Sequence, residues 1–285
     1  MHAGKAEYRM NLAGPDMNET INEEVFLSVI VPAYNEERII ESTLHSIHNF
    51  CSGQNFKYEI IVVNDGSGDK TAEIVTSLTD TIHELVLINL DKNAGKGMAV
   101  REGMLKARGA YRLFMDADNS TSIEEMPHMM PFFDEGYDVV IGSRGVRDAN
   151  ITSHQPWLRE SMGKTFVYFV RLFTGLRFKD TQAGFKIFTA SSADDVFPLQ
   201  TIPGWVFDVE LLAIARELGY KVKELPITWK HYPHTNVDIV NGTAAALWDL
   251  IKIRYGLWSG KYGSGAAIQG KGKQPGQAQD SDSAT

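Results

Sequence analysis

The chain has 285 residues, a net charge of −8 with both signs interspersed, and a single cysteine, Cys51. That charge pattern excludes a basic nucleic-acid surface, and one thiol excludes an intrachain disulfide or a cysteine-cluster metal site, which fits a reducing, cytoplasmic setting. No stretch reaches the roughly 18 apolar residues a spanning helix needs, and the N-terminus lacks a signal-peptide core, so the chain is expected not to cross a membrane by itself.

Residues 1–24 are polar and mixed and are expected to be loose. Beyond Ser259 the chain turns glycine-rich and then reads GKGKQPGQAQDSDSAT, which has almost nothing to bury, so 259–285 is expected to be disordered. Between them, 25–240 is long enough for one large α/β domain, followed by an amphipathic helix over 241–258. The N-x-S/T triplets at Asn18, Asn119, Asn150 and Asn241 are expected to be chance matches.

In chain order, Leu27 to Val31 is a near-continuous apolar run, as in a strand buried on both faces. A helix is expected from Glu37 to about Phe50, with Ile40, Leu44 and Ile47 at helical spacing. Strand Glu59–Val63, helix Asp69–Leu78, strand Leu85–Leu90 and helix Gly97–Ala107 follow. Tyr111–Met115 and Asp138–Ile141 are the next strands. This alternation predicts a Rossmann-like, mostly parallel sheet flanked by helices, in which ligands sit beyond the carboxyl ends of the strands.

Those ends carry the informative residues: Pro32-Ala33-Tyr34-Asn35-Glu36-Glu37, Asn64-Asp65-Gly66-Ser67-Gly68-Asp69, and Asp116-Ala117-Asp118. Gly66-Ser67-Gly68 lacks the third glycine of a dinucleotide fingerprint, and Gly95-Lys96 lacks the surroundings of a Walker loop. Asp116 and Asp118, one residue apart at a strand end, suit a hard cation such as Mg²⁺ or Mn²⁺ bridging a diphosphate.

SVIVPAYNEE, VVNDGSGDKT, NAGKGMAVREG and FMDAD resemble, in order, the signatures of family 2 glycosyltransferases with the GT-A fold. Asp180 to Lys186 (DTQAGFK) and Trp205 to Leu211 (WVFDVEL) resemble the polyprenyl-phosphate hexose synthases, and more closely their dolichyl-phosphate glucosyl than their mannosyl branch. The resemblance runs from Leu27 to Trp229. It implies that Pro32, Tyr34, Glu36, Val63 and Asp65 hold the nucleoside, with Asp65 accepting a hydrogen bond from the base. It implies metal at Asp116 and Asp118, a backbone contact from Ala117, and positive charge near the diphosphate from Lys96, with Arg101 in the same segment. Arg144 matches an arginine near the phosphates and Arg159 a basic position on the acceptor side. Ser120 stands where some mannosyl relatives carry a metal-binding glutamine. Asn236 stands where a lysine is expected, with Lys230, His231 and His234 as substitutes; of these Lys230 is the candidate for the acceptor phosphate.

Two acceptor chemistries are open. A lipid phosphate is already anionic near neutral pH and needs no base, whereas a sugar or glycerate hydroxyl needs a carboxylate to take its proton. Asp208 is the candidate for that base, and its plainer reading is an acidic residue at a helix N-terminus. Phe166, Phe169, Val170 and Phe173 form one apolar stripe, open between core packing and an interface. Ala244–Trp258, with Trp248, Ile251, Trp258, Lys252 and Arg254, points to an interface with a membrane or a partner subunit. The expected function is metal-dependent, inverting transfer of a hexose, glucose from UDP-glucose, to a polyprenyl phosphate. The alternatives are a soluble or glycan hydroxyl acceptor, and a nucleotide-sugar-binding regulator without activity.

Overall fold

The computed structural model describes residues 24–152, 157–230 and 239–263, with the side chains of 157–164 and 239–243 left aside. In chain order the elements are β1 (Leu27–Ala33), α1 (Ile40–Ser52), β2 (Tyr58–Asn64), α2 (Thr71–Leu78), β3 (Leu85–Asn89), α3 (Lys96–Lys106) and β4 (Tyr111–Met115). A 3-10 turn and the short helices α4 (Met126–Met129) and α5 (Pro131–Asp134) lead to β5 (Val139–Ser143) and β6 (Asn150–Ile151). Then come α6 (Trp157–Thr174), β7 (Phe185–Thr189), α7 (Ala190–Val196), α8 (Phe207–Glu217), β8 (Val222–Pro226), β9 (Thr228–Trp229) and α9 (Ile239–Trp258).

Seven strands form one sheet in the order β3-β2-β1-β4-β7-β5-β8. All pairs are parallel except those of β7, which runs antiparallel to both β4 and β5. The fold is therefore the mostly parallel, helix-flanked sheet expected from the alternation of elements. β6 and β9 pair as a separate two-stranded ribbon.

The sheet has a core on each face, and strand alternation assigns residues to them. Ile30, Ile61, Val63 and Phe114 face the side packed by α3, α7, α8 and α9. Val29, Val31, Ile60, Val62, Leu113 and Met115 face the side packed by α1 and α2. Being covered on both faces, β1 and β2 are buried at every position, which explains their continuous apolar runs.

Two topological facts create the site. The sheet order reverses at the β1/β4 junction, so the segments leaving β1 and β4 diverge and open a crevice between them. Because β7 is antiparallel, its start lies beside the end of β4, with Met115 opposite Phe185. The 180–184 segment is thereby delivered to the same edge as Asp116.

Helix α9 packs on α6 and α8, with Leu250 and Ile253 fully buried in the shared core. The chain does not come loose at Ser259, as its composition suggested. Tyr262 is buried and donates a 2.9 Å hydrogen bond to Glu210, because the close approach of Gly256 leaves room for its ring. The stripe on α6 resolves mainly to core packing: Val170 is buried and Phe166 and Phe173 pack against the core, while Phe169 is exposed. Tyr168 and Leu172 face outward too, joined on α9 by Trp248, Ile251, Tyr255 and Trp258. Among the described residues no helix is long and apolar enough to cross a membrane.

Candidate active site

A cleft of about 930 Å³ opens at the β1/β4 junction, lined by Pro32, Tyr34 and Glu36 after β1, Asp65 after β2, Lys96 at the start of α3, and Asp116 to Asp118 after β4. Trp205 forms a further wall. Tyr34 and Trp205 are about half exposed, at 48% and 50%, so two aromatic faces are open to a planar or ring-shaped ligand.

The first two loops are laced together. Asn35, at φ 56°, accepts from the Gly68 N–H, and its own N–H donates to the Ser67 hydroxyl. The Glu36 N–H donates to Thr71 Oγ1 and that of Glu37 to Asp69. The Gly66-Ser67-Gly68 segment thus serves to anchor the loop that carries Tyr34 and Glu36.

Asp65 accepts from the backbone N–H groups of Ala94 at 2.7 Å and Gly95 at 3.0 Å. Its carboxylate therefore braces the turn that begins α3, a role the sequence did not suggest. Gly95 sits at φ 95°, where a side chain would strike the Pro203 carbonyl. The Gly97 N–H donates to that same carbonyl at 2.8 Å. Lys96 is held between these two fixed points.

From there the Lys96 ammonium reaches Asp116 Oδ1 at 2.6 Å and lies 5.1 Å from the centre of the Trp205 ring. Burial opposes its charge, but Asp116 and then Asp208 hold its pKa above the ordinary lysine range. Asp118 accepts from the Ser120 N–H at 2.9 Å, and its pKa is raised by burial and by the charge of Asp116. The Ala117 carbonyl accepts from the buried Thr43 hydroxyl, which fixes the turn between the two carboxylates.

Glu36 reports the same crowding. Burial first, then Asp118 and Asp116, push its pKa up to about 7. A carboxyl raised in the folded protein is penalised once ionised, so native stability falls as pH rises from the ordinary carboxylate range through 7. Glu36→Gln is expected to melt higher than the parent at pH 8 and to lose that advantage towards pH 4.5. A pH-independent difference in melting temperature would dismiss the repulsion.

The DTQAGFK segment supplies roles that the sequence left unassigned. Asp180 binds Arg144 through two parallel hydrogen bonds, Nε–Oδ2 at 2.6 Å and Nη2–Oδ1 at 3.0 Å. Gly184 seats the Asp116 carboxylate: a methyl group there would fall 2.2 Å from both of its oxygens. Lys186, fully buried, donates to Asp208 Oδ1 at 2.6 Å and to the Ala183 carbonyl. Asp208 lies in the first turn of α8, as expected, but is buried behind the cleft wall and locked to this lysine. Its pKa is raised by burial, against the pull of Lys186 and Lys96.

Several expected site residues are placed elsewhere. Val63 is fully buried and points into the α3-side core, as its position in the strand alternation requires. Arg144 does not line the cleft; its guanidinium is taken by Asp180 and lies 5.5 Å from the centre of the Trp229 ring. Arg101 donates to the Phe197 carbonyl, tying α3 to the end of α7. Lys230 comes to the loop after Asp118, where its N–H donates to the Ser120 carbonyl. The Arg159 side chain, and His231, His234 and Asn236, lie outside the described residues.

The pair Asp116 and Asp118 suits a divalent cation, since two partly buried carboxylates one residue apart share a single ammonium, that of Lys96 on Asp116, and the charge of Asp116 adds to burial in raising the pKa of Asp118. Among the described residues no cluster of three or more acidic, histidine or cysteine ligands forms a self-sufficient metal cage. Such a cation would therefore draw part of its shell from a bound diphosphate or water.

Comparison with known proteins agrees with this geometry. Residues 28–196 match the model of glycosyl transferase family 2. A Dictyostelium discoideum protein named dolichyl-phosphate beta-glucosyltransferase is 34% identical over 264 residues, covering 86% of this chain and 80% of that protein. The protein of that name from Saccharomyces cerevisiae is 30% identical, with 90% and 82% covered. Among solved structures, glucosyl-3-phosphoglycerate synthase from Mycobacterium tuberculosis, in complex with Mn²⁺, UDP and glucosyl-3-phosphoglycerate, superposes with a TM-score of 0.58 at 19% identity. That match covers 80% of this chain and 78% of the synthase, and it shows the shared GT-A fold.

Proposed function

The chain belongs to glycosyl transferase family 2, and within that family we propose that it transfers glucose from UDP-glucose to a polyprenyl phosphate of the dolichyl type, with inversion at the anomeric carbon. The names of these relatives, at 30–34% identity over most of both chains, support the glucosyl group and the dolichyl-phosphate acceptor. The observation that carries the choice of acceptor is the buried Lys186–Asp208 pair. A general base must reach the proton it takes. Asp208 does not line the cleft and is bound to an ammonium group, which favours an acceptor that arrives already ionised. A lipid phosphate does so near neutral pH.

In this reading Tyr34 and Pro32 receive the uracil and ribose, and Lys96 meets the diphosphate. Asp116 and Asp118 hold Mg²⁺ or Mn²⁺, which when bound neutralises charge on the departing diphosphate. A phosphate oxygen of the lipid attacks the anomeric carbon from the face opposite the nucleotide. The carbon–oxygen bond to UDP breaks, its electron pair leaves with UDP, and the α-linked donor becomes a β-linked lipid phosphate. The chain's own contribution is alignment and electrostatic stabilisation of the leaving group. Arg159 and Lys230 are the proposed acceptor-phosphate cations.

The outward aromatic residues Trp248, Tyr255 and Trp258 on α9, beside Lys252 and Arg254, support work at a bilayer interface, where the prenyl chain never leaves the lipid. The test is incubation with UDP-[¹⁴C]glucose and polyprenyl phosphate in vesicles, followed by chloroform extraction. Label is expected in the organic phase, and chelator or Asp118→Ala is expected to lower the rate about 10²–10³-fold with the fold intact. Label confined to water-soluble product would decide for a hydroxyl acceptor, and full activity of Asp118→Ala in chelator would remove the metal.

A further inference from the structure

The carboxylate expected to bind metal already has a cation on it. Lys96 Nζ lies 2.6 Å from Asp116 Oδ1, and both side chains are partly buried. Asp116 has little freedom to accommodate a second cation by turning. Its carboxylate is seated where a side chain on Gly184 would stand, 2.2 Å from both oxygens, and its backbone N–H is bonded to the Gly184 carbonyl at 3.1 Å. The lysine, by contrast, is fixed at its backbone, by the Asp65 brace at Ala94 and Gly95 and by the Gly97–Pro203 hydrogen bond, and its ammonium is hydrogen-bonded to Asp116 itself. Its ammonium lies 5.1 Å from the centre of the Trp205 ring, which is itself half exposed. One partner of the pair is pinned and the other can swing.

A divalent ion bound to Asp116 beside this ammonium would face a like charge in a site of reduced dielectric. If the ammonium simply withdrew, it would be stranded, partly buried, without a counter-ion. A nucleoside diphosphate removes the conflict, because its oxygens offer the ammonium a new partner as the metal takes the carboxylate.

We propose that Lys96 is a built-in counter-ion of Asp116 that makes divalent-metal binding conditional on the nucleoside diphosphate. The metal and the nucleotide then bind as a coupled pair, and the enzyme without donor holds metal weakly. This rests on the reading of Asp116 and Asp118 as metal ligands. It also gives the lysine a second task besides meeting the diphosphate. Energetic coupling is reciprocal, so the factor by which UDP tightens Mn²⁺ equals the factor by which Mn²⁺ tightens UDP.

The test is titration of the full chain with Mn²⁺, reading free ion by electron paramagnetic resonance, without and with UDP and with the Mn²⁺–UDP complex in solution accounted for. In the parent protein UDP should tighten Mn²⁺ by at least about tenfold, within the usual range of such couplings. Lys96→Met should bind Mn²⁺ about tenfold tighter than the parent in the absence of UDP, and the coupling should shrink correspondingly. Lys96→Arg keeps a cation on Asp116 and should retain weak donor-free binding. A Lys96→Met protein, folded by circular dichroism, with parental or weaker donor-free affinity overturns the proposal, as does an arginine variant that behaves like the methionine one. Asp118→Ala separates the two claims. If it binds Mn²⁺ as the parent does with UDP present, the metal site itself is wrong. If it loses Mn²⁺ while Lys96→Met matches the parent, only the role of Lys96 falls.

Discussion

Gly184→Ala is expected to lower the rate of glucosyl transfer by about a hundredfold while leaving the protein folded, since misplacing a reacting group by an ångström costs on that order. The backbone at Gly184 is not in a left-handed conformation, so the requirement is purely steric. A methyl group there would sit 2.2 Å from both Asp116 oxygens, and the backbone hydrogen bond between the two residues prevents them from drifting apart. The carboxylate must therefore turn, taking with it the anchor for Lys96 and one proposed metal ligand. Tyr34 and Pro32 are untouched, so affinity for UDP measured without metal should stay near parental. The expected signature is a fall in kcat and in Mn²⁺ affinity with little change in metal-free UDP binding. A variant with parental kcat and parental Mn²⁺ affinity would show that Asp116 does not need its seat.

The parts of this site that could be read from the sequence are those set by local order. Apolar runs marked β1, β2 and β4, and a parallel sheet fixes which end of each strand faces ligand, so the segments that carry Tyr34, Asp65, Asp116 and Asp118 were found by position, and the family resemblance supplied their roles. Val63 was assigned to the nucleoside on the family resemblance, but strand alternation turns it into the core. β7 was missed because its few apolar residues carry no sign of direction, and its antiparallel run is what brings Gly184 to Asp116. The roles of Asp180, Gly184 and Lys186 depend on partners far along the chain, Arg144, Asp116 and Asp208, and no local pattern announces such pairings. The apolar stripe on α6 was left open between core packing and an interface for a related reason. A helical stripe tells which residues lie together, and only the neighbouring α9 decides which stripe is covered.

Lys186→Met should be the most destabilising single change at the site, by about 3–5 kcal/mol at pH 8, as when one member of a buried ion pair is removed. Lys186 is fully buried, and its ammonium bonds Asp208 and the Ala183 carbonyl while lying 5.2 Å from the centre of the Phe114 ring. Methionine fills the space but leaves the Asp208 carboxylate without its counter-ion behind the cleft wall. The pH dependence follows from the sign of the shift. Burial already raises the pKa of Asp208, and loss of Lys186, a charge that lowers it, raises it further. A carboxyl raised in the native state is penalised when ionised, so the deficit grows as pH climbs from the ordinary carboxylate range towards the native pKa. The melting temperature of Lys186→Met should therefore approach that of the parent as pH falls from 8 towards 5. Lys186→Met combined with Asp208→Leu removes both charges and should recover most of the loss, since a buried pair can be replaced by apolar groups at little cost. Equal deficits at pH 5 and pH 8, or a double variant no more stable than the single one, would mean that the lysine acts through packing and not through Asp208. Recovery of stability without recovery of transfer by the double variant would separate the two contributions of the pair, holding the wall of the cleft and placing charge behind Lys96 and Asp116.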